Sequence, residues 1–275
     1  MAKRNLKGMR VVVTGASSGI GYQLALQLVR AGAKVLVTAR REEKLDQLIA
    51  ESINGVPDGA TFIRALPGDL TDPSHRAAIV AWCDREWGGI DTLVNNAGAG
   101  AIGPFAEASA DRLRRVMEID FFAPVELTRI CLPLLLKGIR PAVLNIGSVL
   151  GHRAVPDKSE YCAAKFAMRG WSESIRVELA PLRVEVLMVS PSTTRSEFFD
   201  ALMDTSPDTK SRSLGSMSPK RVAQLAIRAL VRSKRDMILS VGGKALVWLA
   251  RFFPYLTDRI LTRTNDGDSL TKADR

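Results

Sequence analysis

The chain has 275 residues, 46% hydrophobic and 25% charged, and a formal net charge of +10. That length and balance exclude a disordered or fibrous chain and suit one globular unit with a sizeable core. Cys83, Cys131 and Cys162 are widely spaced with no C-x-x-C pair, and His75 and His152 are the only histidines, which excludes a disulfide framework, a zinc signature and a histidine-based metal site.

The basic excess admits nucleic acid, an anionic membrane surface or a phosphorylated ligand as partner. Most of it reads as solvated helix surface. Nucleic acid is not expected, because no aromatic RNA motif or recognition-helix signature accompanies the charge. The cysteines read as small buried hydrophobes in a reducing compartment.

The N-terminus, Met1 to Arg10, is basic but no apolar core segment follows it, so no secretory signal is expected and the chain reads as cytoplasmic. No uncharged apolar run approaches the ~18 to 20 residues that span a bilayer. Short apolar runs then alternate with longer helical patterns. Strands are predicted at Arg10–Thr14, Lys34–Thr38, Thr61–Ala65, Ile90–Val94, Ala142–Gly147, Val184–Val189 and Met237–Val241. Their Val, Ile and Leu content with little polar alternation suits parallel strands covered on both faces. Helices are predicted at Tyr22–Ala31, Arg41–Ala50, Ser74–Trp87, Ala110–Leu136, Ser159–Leu179 and Pro219–Val231. The alternation predicts an α/β fold: a single-domain, Rossmann-type, doubly wound parallel sheet of about seven strands with helices on both faces. Residues 1–243 form that domain and 244–275 an amphipathic C-terminal tail.

The first strand runs into Thr14-Gly15-Ala16-Ser17-Ser18-Gly19-Ile20-Gly21 before the first helix. Glycines there allow a tight turn and close approach to a pyrophosphate, and the helix N-terminus supplies free N–H groups. Gly15, Ser17, Ser18, Gly19, Ile20 and Gly21 are therefore candidate cofactor contacts. The spacing Gly-x-x-x-Gly-x-Gly departs from the common Gly-x-Gly-x-x-Gly fingerprint. The second strand ends Val37-Thr38-Ala39-Arg40-Arg41. Ala39 stands where NAD-binding folds carry an acid for the ribose 2′-hydroxyl, and the guanidinium groups of Arg40 and Arg41 match a 2′-phosphate. The expected cofactor is NADP (NADPH); the plainer reading is that both arginines open a solvated helix.

Ser148 is followed by Tyr161 and then by Lys165. A tyrosine, with an ordinary pKa of about 10, acts as an acid or base near neutral pH if an adjacent cation favours its phenolate. Lys165, at i+4 on one helix face, is placed to lower the Tyr161 pKa.

With these residues in view the chain resembles the short-chain dehydrogenase/reductase family over about residues 8–195. The resemblance rests on Thr14-Gly15-x-x-x-Gly19-x-Gly21, Asn95-Asn96-Ala97-Gly98 and Ser148…Tyr161-x-x-x-Lys165, in that order. It implies hydride transfer between nicotinamide and a carbonyl or carbinol carbon, with Tyr161 giving or taking the hydroxyl proton. It also implies that Lys165 lowers the Tyr161 pKa and bonds the nicotinamide ribose, and that Ser148 binds the substrate oxygen. Asp69, in Gly68-Asp69-Leu70, resembles the acid that contacts adenine, with Leu70 beside it. Asn96, Ala97 and Gly98 would support the sheet and the cofactor wall. Pro191 keeps its place while Ser192 replaces a usual glycine, and Thr194 would lie near the carboxamide. One departure stands out: Asp120 occupies the place of an asparagine that positions a relay water, so either the relay persists in altered form or the helix bends differently. Members of the family are often dimers or tetramers, and a homodimer or homotetramer is expected.

Residues 192–219 are Ser-, Thr- and Pro-rich and read as a substrate lid, with Phe198, Phe199, Leu202 and Met203 lining an apolar pocket. They suggest a lipophilic carbonyl or alcohol substrate. From Gly242 to Arg263, aromatic and aliphatic residues are interleaved with Lys244, Arg251, Arg259 and Arg263, and Pro254 divides the stretch into two helices. This pattern suits peripheral membrane contact or packing on the lid or a neighbouring subunit. The residues past Asp266 are polar and read as frayed. The leading expectation is an NADP-dependent oxidoreductase; the alternative is a non-catalytic NADP-binding redox sensor or scaffold.

Overall fold

The computed structural model of the protein describes residues 3–53, 62–194 and 217–265. Seven parallel strands lie in one sheet, in the order β3-β2-β1-β4-β5-β6-β7. In chain order the elements are β1 (Arg10–Thr14), α1 (Gly19–Arg30), β2 (Lys34–Thr38), α2 (Glu42–Ile53), β3 (Ile63–Ala65), α3 (Pro73–Trp87), β4 (Thr92–Asn95), α4 (Ala110–Met117), α5 (Ala123–Leu136), β5 (Ala142–Ile146), α6 (Ser159–Glu178), β6 (Glu185–Ser190), α7 (Pro219–Val231), β7 (Asp236–Ile238), α8 (Val241–Phe252) and α9 (Pro254–Asn265).

Successive strand side chains point to opposite faces, and β1 shows the result. Val11 and Val13 join Leu24, Leu28, Leu45, Leu48, Ala226 and Leu230 in a core under α1, α2 and α7. Val12 joins Leu36, Leu93, Ile79, Leu127 and Leu135 in a second core under α3 and α5. Both faces are thus covered, which is why the strands read as unbroken apolar runs.

Several predicted boundaries differ, three of them beside the strand ends that hold the site. The single helix predicted over Ala110–Leu136 is divided into α4 and α5 by a wide π turn at Glu118–Phe122. Pro124, in the first turn of α5, has no N–H to return to the carbonyl four residues back, and its ring pushes that turn open. The last strand, predicted at Met237–Val241, ends at Ile238. The Ser240 hydroxyl accepts from the Gly243 N–H at 2.9 Å and so starts α8 at Val241. Helix α1 begins at Gly19 rather than Tyr22. Thr61 of the third predicted strand lies outside the described residues.

The direction in which successive strands are added to the sheet reverses between β1 and β4, where β1 leads outward to β2 and β3 and β4 leads to β5, β6 and β7. Ligands of such sheets bind at the carboxyl ends of the strands beside this switch point.

Candidate active site

Thr14, the last residue of β1, ties the first turn to the end of β4. Its Oγ1 donates to the Val94 carbonyl at 3.2 Å and accepts from the N–H groups of Asn96 and Ala97, each at 3.0 Å. The Asn96 amide donates back to the carbonyls of Thr14 at 2.9 Å and Gly15 at 3.1 Å. This packing explains two glycines. A Cβ at Gly15, whose φ is +65°, would sit 2.7 Å from the Ala97 Cα. One at Gly21 would meet both the Asn96 amide and the Gly15 carbonyl at 2.4 Å.

Helix α1 starts after Ser18, which gives no side-chain cap, and its first turn carries no acidic residue. Its N–H groups and positive dipole end therefore suit an anion. Arg40 is exposed. Arg41 reaches back over this turn, with its Nε and Nη2 donating to the Ser17 hydroxyl at 3.3 and 3.1 Å. A guanidinium thus borders the glycine turn, at the end of β2. This donor set fits the phosphates of a dinucleotide.

Asp69 is occupied locally, its Oδ1 accepting from the Thr71 N–H at 2.9 Å and the Thr71 hydroxyl at 2.8 Å. Leu70 is buried beside it. The Gly68 N–H donates to the Ala39 carbonyl at 3.0 Å, bringing this turn to the end of β2. His75 closes the same corner: its Nε2 lies 2.7 Å from the Thr38 hydroxyl, and its ring fills the space a side chain at Gly68 would need.

Ser148, Tyr161, Lys165 and Asp120 converge beyond β5. Ser148 follows the strand in extended conformation, and its Oγ accepts from the Leu150 N–H at 3.1 Å, turning the chain into a short helical turn. It also hydrogen-bonds the Tyr161 hydroxyl. Gly151 lets that turn meet α6 closely, since a Cβ there would lie 2.7 Å from the Lys165 carbonyl. The Lys165 Nζ sits 5.3 Å from the centre of the Tyr161 ring and 2.6 Å from the Asp120 Oδ1. Asp120 Oδ2 accepts from the Ala99 N–H at 3.0 Å. Both members of the pair are buried. Gly98 leaves room for them, because a Cβ there would lie 2.6 Å from the Asp120 Oδ1.

Lys165 pulls on the Tyr161 pKa in the expected direction, but other influences outweigh it. Lys165 pulls the Tyr161 pKa down, as does the bond from Ser148, but burial of the phenol and the Asp120 carboxylate push it up, and it stands above its ordinary value. Burial would discharge Lys165, yet Asp120 and Tyr161 hold its pKa above the usual lysine range. Burial raises the Asp120 pKa against the pull of Lys165. The lysine is thus a charged group already partnered, and a phenol beside it keeps its proton at neutral pH.

The loop after β6 closes the far side. The Pro191 carbonyl accepts from the Val149 N–H at 2.9 Å, which couples it to the Ser148 turn. Thr194 is buried, with its hydroxyl donating to the Ser192 carbonyl at 3.2 Å, and it pairs with Met217. Phe198, Phe199, Leu202 and Met203 of the predicted lid lie outside the described residues, as do the residues from Asp266 onward.

Two supports escaped the sequence reading. Arg112 of α4 donates from Nε and Nη2 to the Glu160 Oε1 at 3.0 and 2.8 Å, and the pair is buried one residue before Tyr161. Glu160, Ala164 and Met168 share the inward face of α6, so helical spacing alone could have marked this carboxylate as buried. Asn95 donates to Thr128 and Asn145, each at 2.9 Å, and Asn145 donates to Ser172 at 2.8 Å. That chain of amides locks β4 and β5 to α5 and α6; no local pattern announces it. No group of three or more potential metal ligands occurs among the described residues.

A family model described as short chain dehydrogenase matches residues 9–206. The uncharacterized oxidoreductase YxnA of Bacillus subtilis is 34% identical over 268 residues, covering 94% of this chain and 73% of that protein. Among solved structures, a short chain dehydrogenase/reductase from Burkholderia phymatum in complex with NAD superposes with a TM-score of 0.82 at 21% identity, covering 92% of this chain and 96% of that one. An alcohol dehydrogenase from the archaeon Thermococcus sibiricus, complexed with 5-hydroxy-NADP, gives 0.72 at 22% identity over 84% of this chain and 96% of that one. At these identities the structures share the fold.

Proposed function

The chain belongs to the short-chain dehydrogenase/reductase family, a family of oxidoreductases, and from that premise we propose that it is an NADP-dependent enzyme of carbonyl and secondary-alcohol substrates, with Tyr161 as acid and base. The observation that carries this reading is the convergence of half-buried Ser148 and Tyr161 on buried Lys165 beyond β5. Bound NADPH would supply the hydride, or accept it in the reverse direction. Tyr161 then gives its hydroxyl proton to the carbonyl oxygen in reduction and recovers one from the alcohol in oxidation. The Ser148 hydroxyl donates to the same oxygen as its charge develops. Lys165, held in place by Asp120, steadies the phenolate left when the proton departs. Burial holds the Tyr161 pKa above its ordinary value, and Lys165 works against that rise.

The solved relatives hold NAD in one case and 5-hydroxy-NADP in another, so the choice of carrier for this chain rests on its own residues. Ala39 offers no carboxylate to the ribose 2′-hydroxyl, Arg40 is exposed, and Arg41 lies against Ser17. The turn from Ser17 to Gly21 would take the pyrophosphate, Asp69 and Leu70 the adenine side, and Asn96 to Gly98, Pro191 and Thr194 the nicotinamide side. A lipophilic substrate fits the apolar character of residues 198–203 and of α8, which packs on the Ser148 turn.

The test is NADPH oxidation over ketones, aldehydes, quinones and β-keto acyl compounds, with Tyr161→Phe as control. Turnover that drops about 100-fold or more in this variant supports the assignment, in line with the usual worth of a general acid. Turnover that survives refutes it, and NADPH binding without turnover of any substrate favours the redox-sensing alternative.

A further inference from the structure

Exposed large hydrophobic side chains are not spread evenly over this molecule. Val241, Trp248, Phe252, Phe253, Tyr255, Leu256 and Ile260 all fall within α8, α9 and the bend between them. Trp248 is 61% exposed and Tyr255 80%, and the rings of Trp248 and Phe252 are stacked with centroids 5.3 Å apart. Lys244, Arg251, Arg259 and Arg263 stand among them, all exposed. The single carboxylate in Val241–Arg263 is Asp258, and it is paired with Arg153.

We infer that α8 and α9 form a docking surface for an anionic lipid bilayer. Aromatic and aliphatic side chains beside long cationic ones suit the boundary between acyl chains and headgroups, where the rings enter and the charged ends stay at the phosphates. Each helix has 12 residues, and no described helix is long and apolar enough to cross a membrane, so the contact lies along the surface. A second copy of this chain fits less well. A two-fold contact sets a patch against itself, and here four cations would face four cations with one carboxylate already engaged.

The hairpin also has a fixed position relative to the site. A Cβ at Gly243 would lie 2.7 Å from the Val149 Cγ2, next to Ser148, Thr257 is buried, and the Arg153–Asp258 pair ties α9 to the same turn. A docked hairpin therefore brings the Ser148 turn to the membrane, the side from which a lipid-dissolved carbonyl compound arrives. That consequence rests on the proposed function; the docking does not.

Co-sedimentation of the full chain with vesicles, without cofactor or substrate, tests the docking alone. Vesicles of phosphatidylcholine with phosphatidylglycerol should bind it roughly tenfold or more tightly than phosphatidylcholine alone, and rising salt should weaken the binding. The triple change Arg251→Glu, Arg259→Glu, Arg263→Glu should abolish that preference, and Trp248→Glu with Phe252→Glu should reduce sedimentation with both vesicle types. Circular dichroism and melting unchanged from the parent show that these exposed changes leave the fold intact. Equal binding to both vesicles, no binding to either, or a dimer that Trp248→Glu and Phe252→Glu dissociate would overturn the inference.

Discussion

Asp120 places a carboxylate 2.6 Å from the lysine that flanks the candidate proton donor. A neutral asparagine there would leave the Lys165 charge unshared and remove a group that raises the Tyr161 pKa. Asp120→Asn should therefore move the Tyr161 pKa downward. Tyrosinate absorbance, with Tyr161→Phe subtracted, should rise at lower pH, and the alcohol-oxidation profile should shift to acid. An unmoved or alkaline-shifted profile would show that Asp120 does not bear on the phenol. If Asp120 serves only as a stand-in for asparagine, activity at the pH optimum stays similar or rises; a large loss gives the carboxylate a role of its own. At the cofactor end, replacing Arg40 and Arg41 by Ala should raise the NADPH KM about tenfold or more and the NADH KM little, since only the former carries the phosphate a guanidinium forks onto. Equal effects would sink the NADP assignment.

Elements matter here through the angles at which they meet. The π turn at Glu118–Phe122 swings the end of α4 so that Asp120 faces α6, and such wide turns recur at functional sites. Arg112 and Glu160 pin α4 to the start of α6, with side chains only 3% and 5% exposed. Removing one member strands a buried charge, at a cost of roughly 3–5 kcal/mol. Arg112→Ala should thus lower the melting temperature strongly, while Arg112→Met with Glu160→Leu, which removes both charges, should lose much less. If the single and double changes are equally destabilising, the pair's charge is not what binds the two helices. The strands and most helices were legible because their apolar runs and periods follow from local packing. The break inside Ala110–Leu136 was only half legible: Pro124 is interior to the predicted helix, but Pro133 lies inside α5 without ending it, so a proline alone does not place the break.

For the molecule as a whole, a ligand that binds only the folded state stabilises it by mass action, by about 2.7 kcal/mol at 100 times its Kd. NADPH should therefore raise the melting temperature, and NADH at the same concentration should raise it less. The reverse order would count against the proposed carrier. A second whole-molecule question is assembly. Leu113 of α4, Phe122 of the π turn and Phe166 of α6 are exposed, and the expected homodimer or homotetramer would cover such side chains. Light scattering should report a multiple of the 29.9 kDa chain, broken by Phe166→Glu; a monomer at micromolar concentration would refute it.

The sequence by itself determined the parallel α/β sheet, the glycine turn at its first strand and the pairing of Tyr161 with Lys165. Each of these is written in local spacing: unbroken apolar runs, glycines at a strand end, and an i+4 pair on one helix face. Only the tertiary structure decided what surrounds them. Asn96 proves to be the clamp on the Gly15 turn, and Arg41 folds back onto Ser17. Above all, the pull of Lys165 on the Tyr161 pKa is present as expected, but burial and Asp120 outweigh it. Spacing on one helix reports which cation is near, but burial and a carboxylate from another helix set the balance, and those depend on contacts distant in the chain.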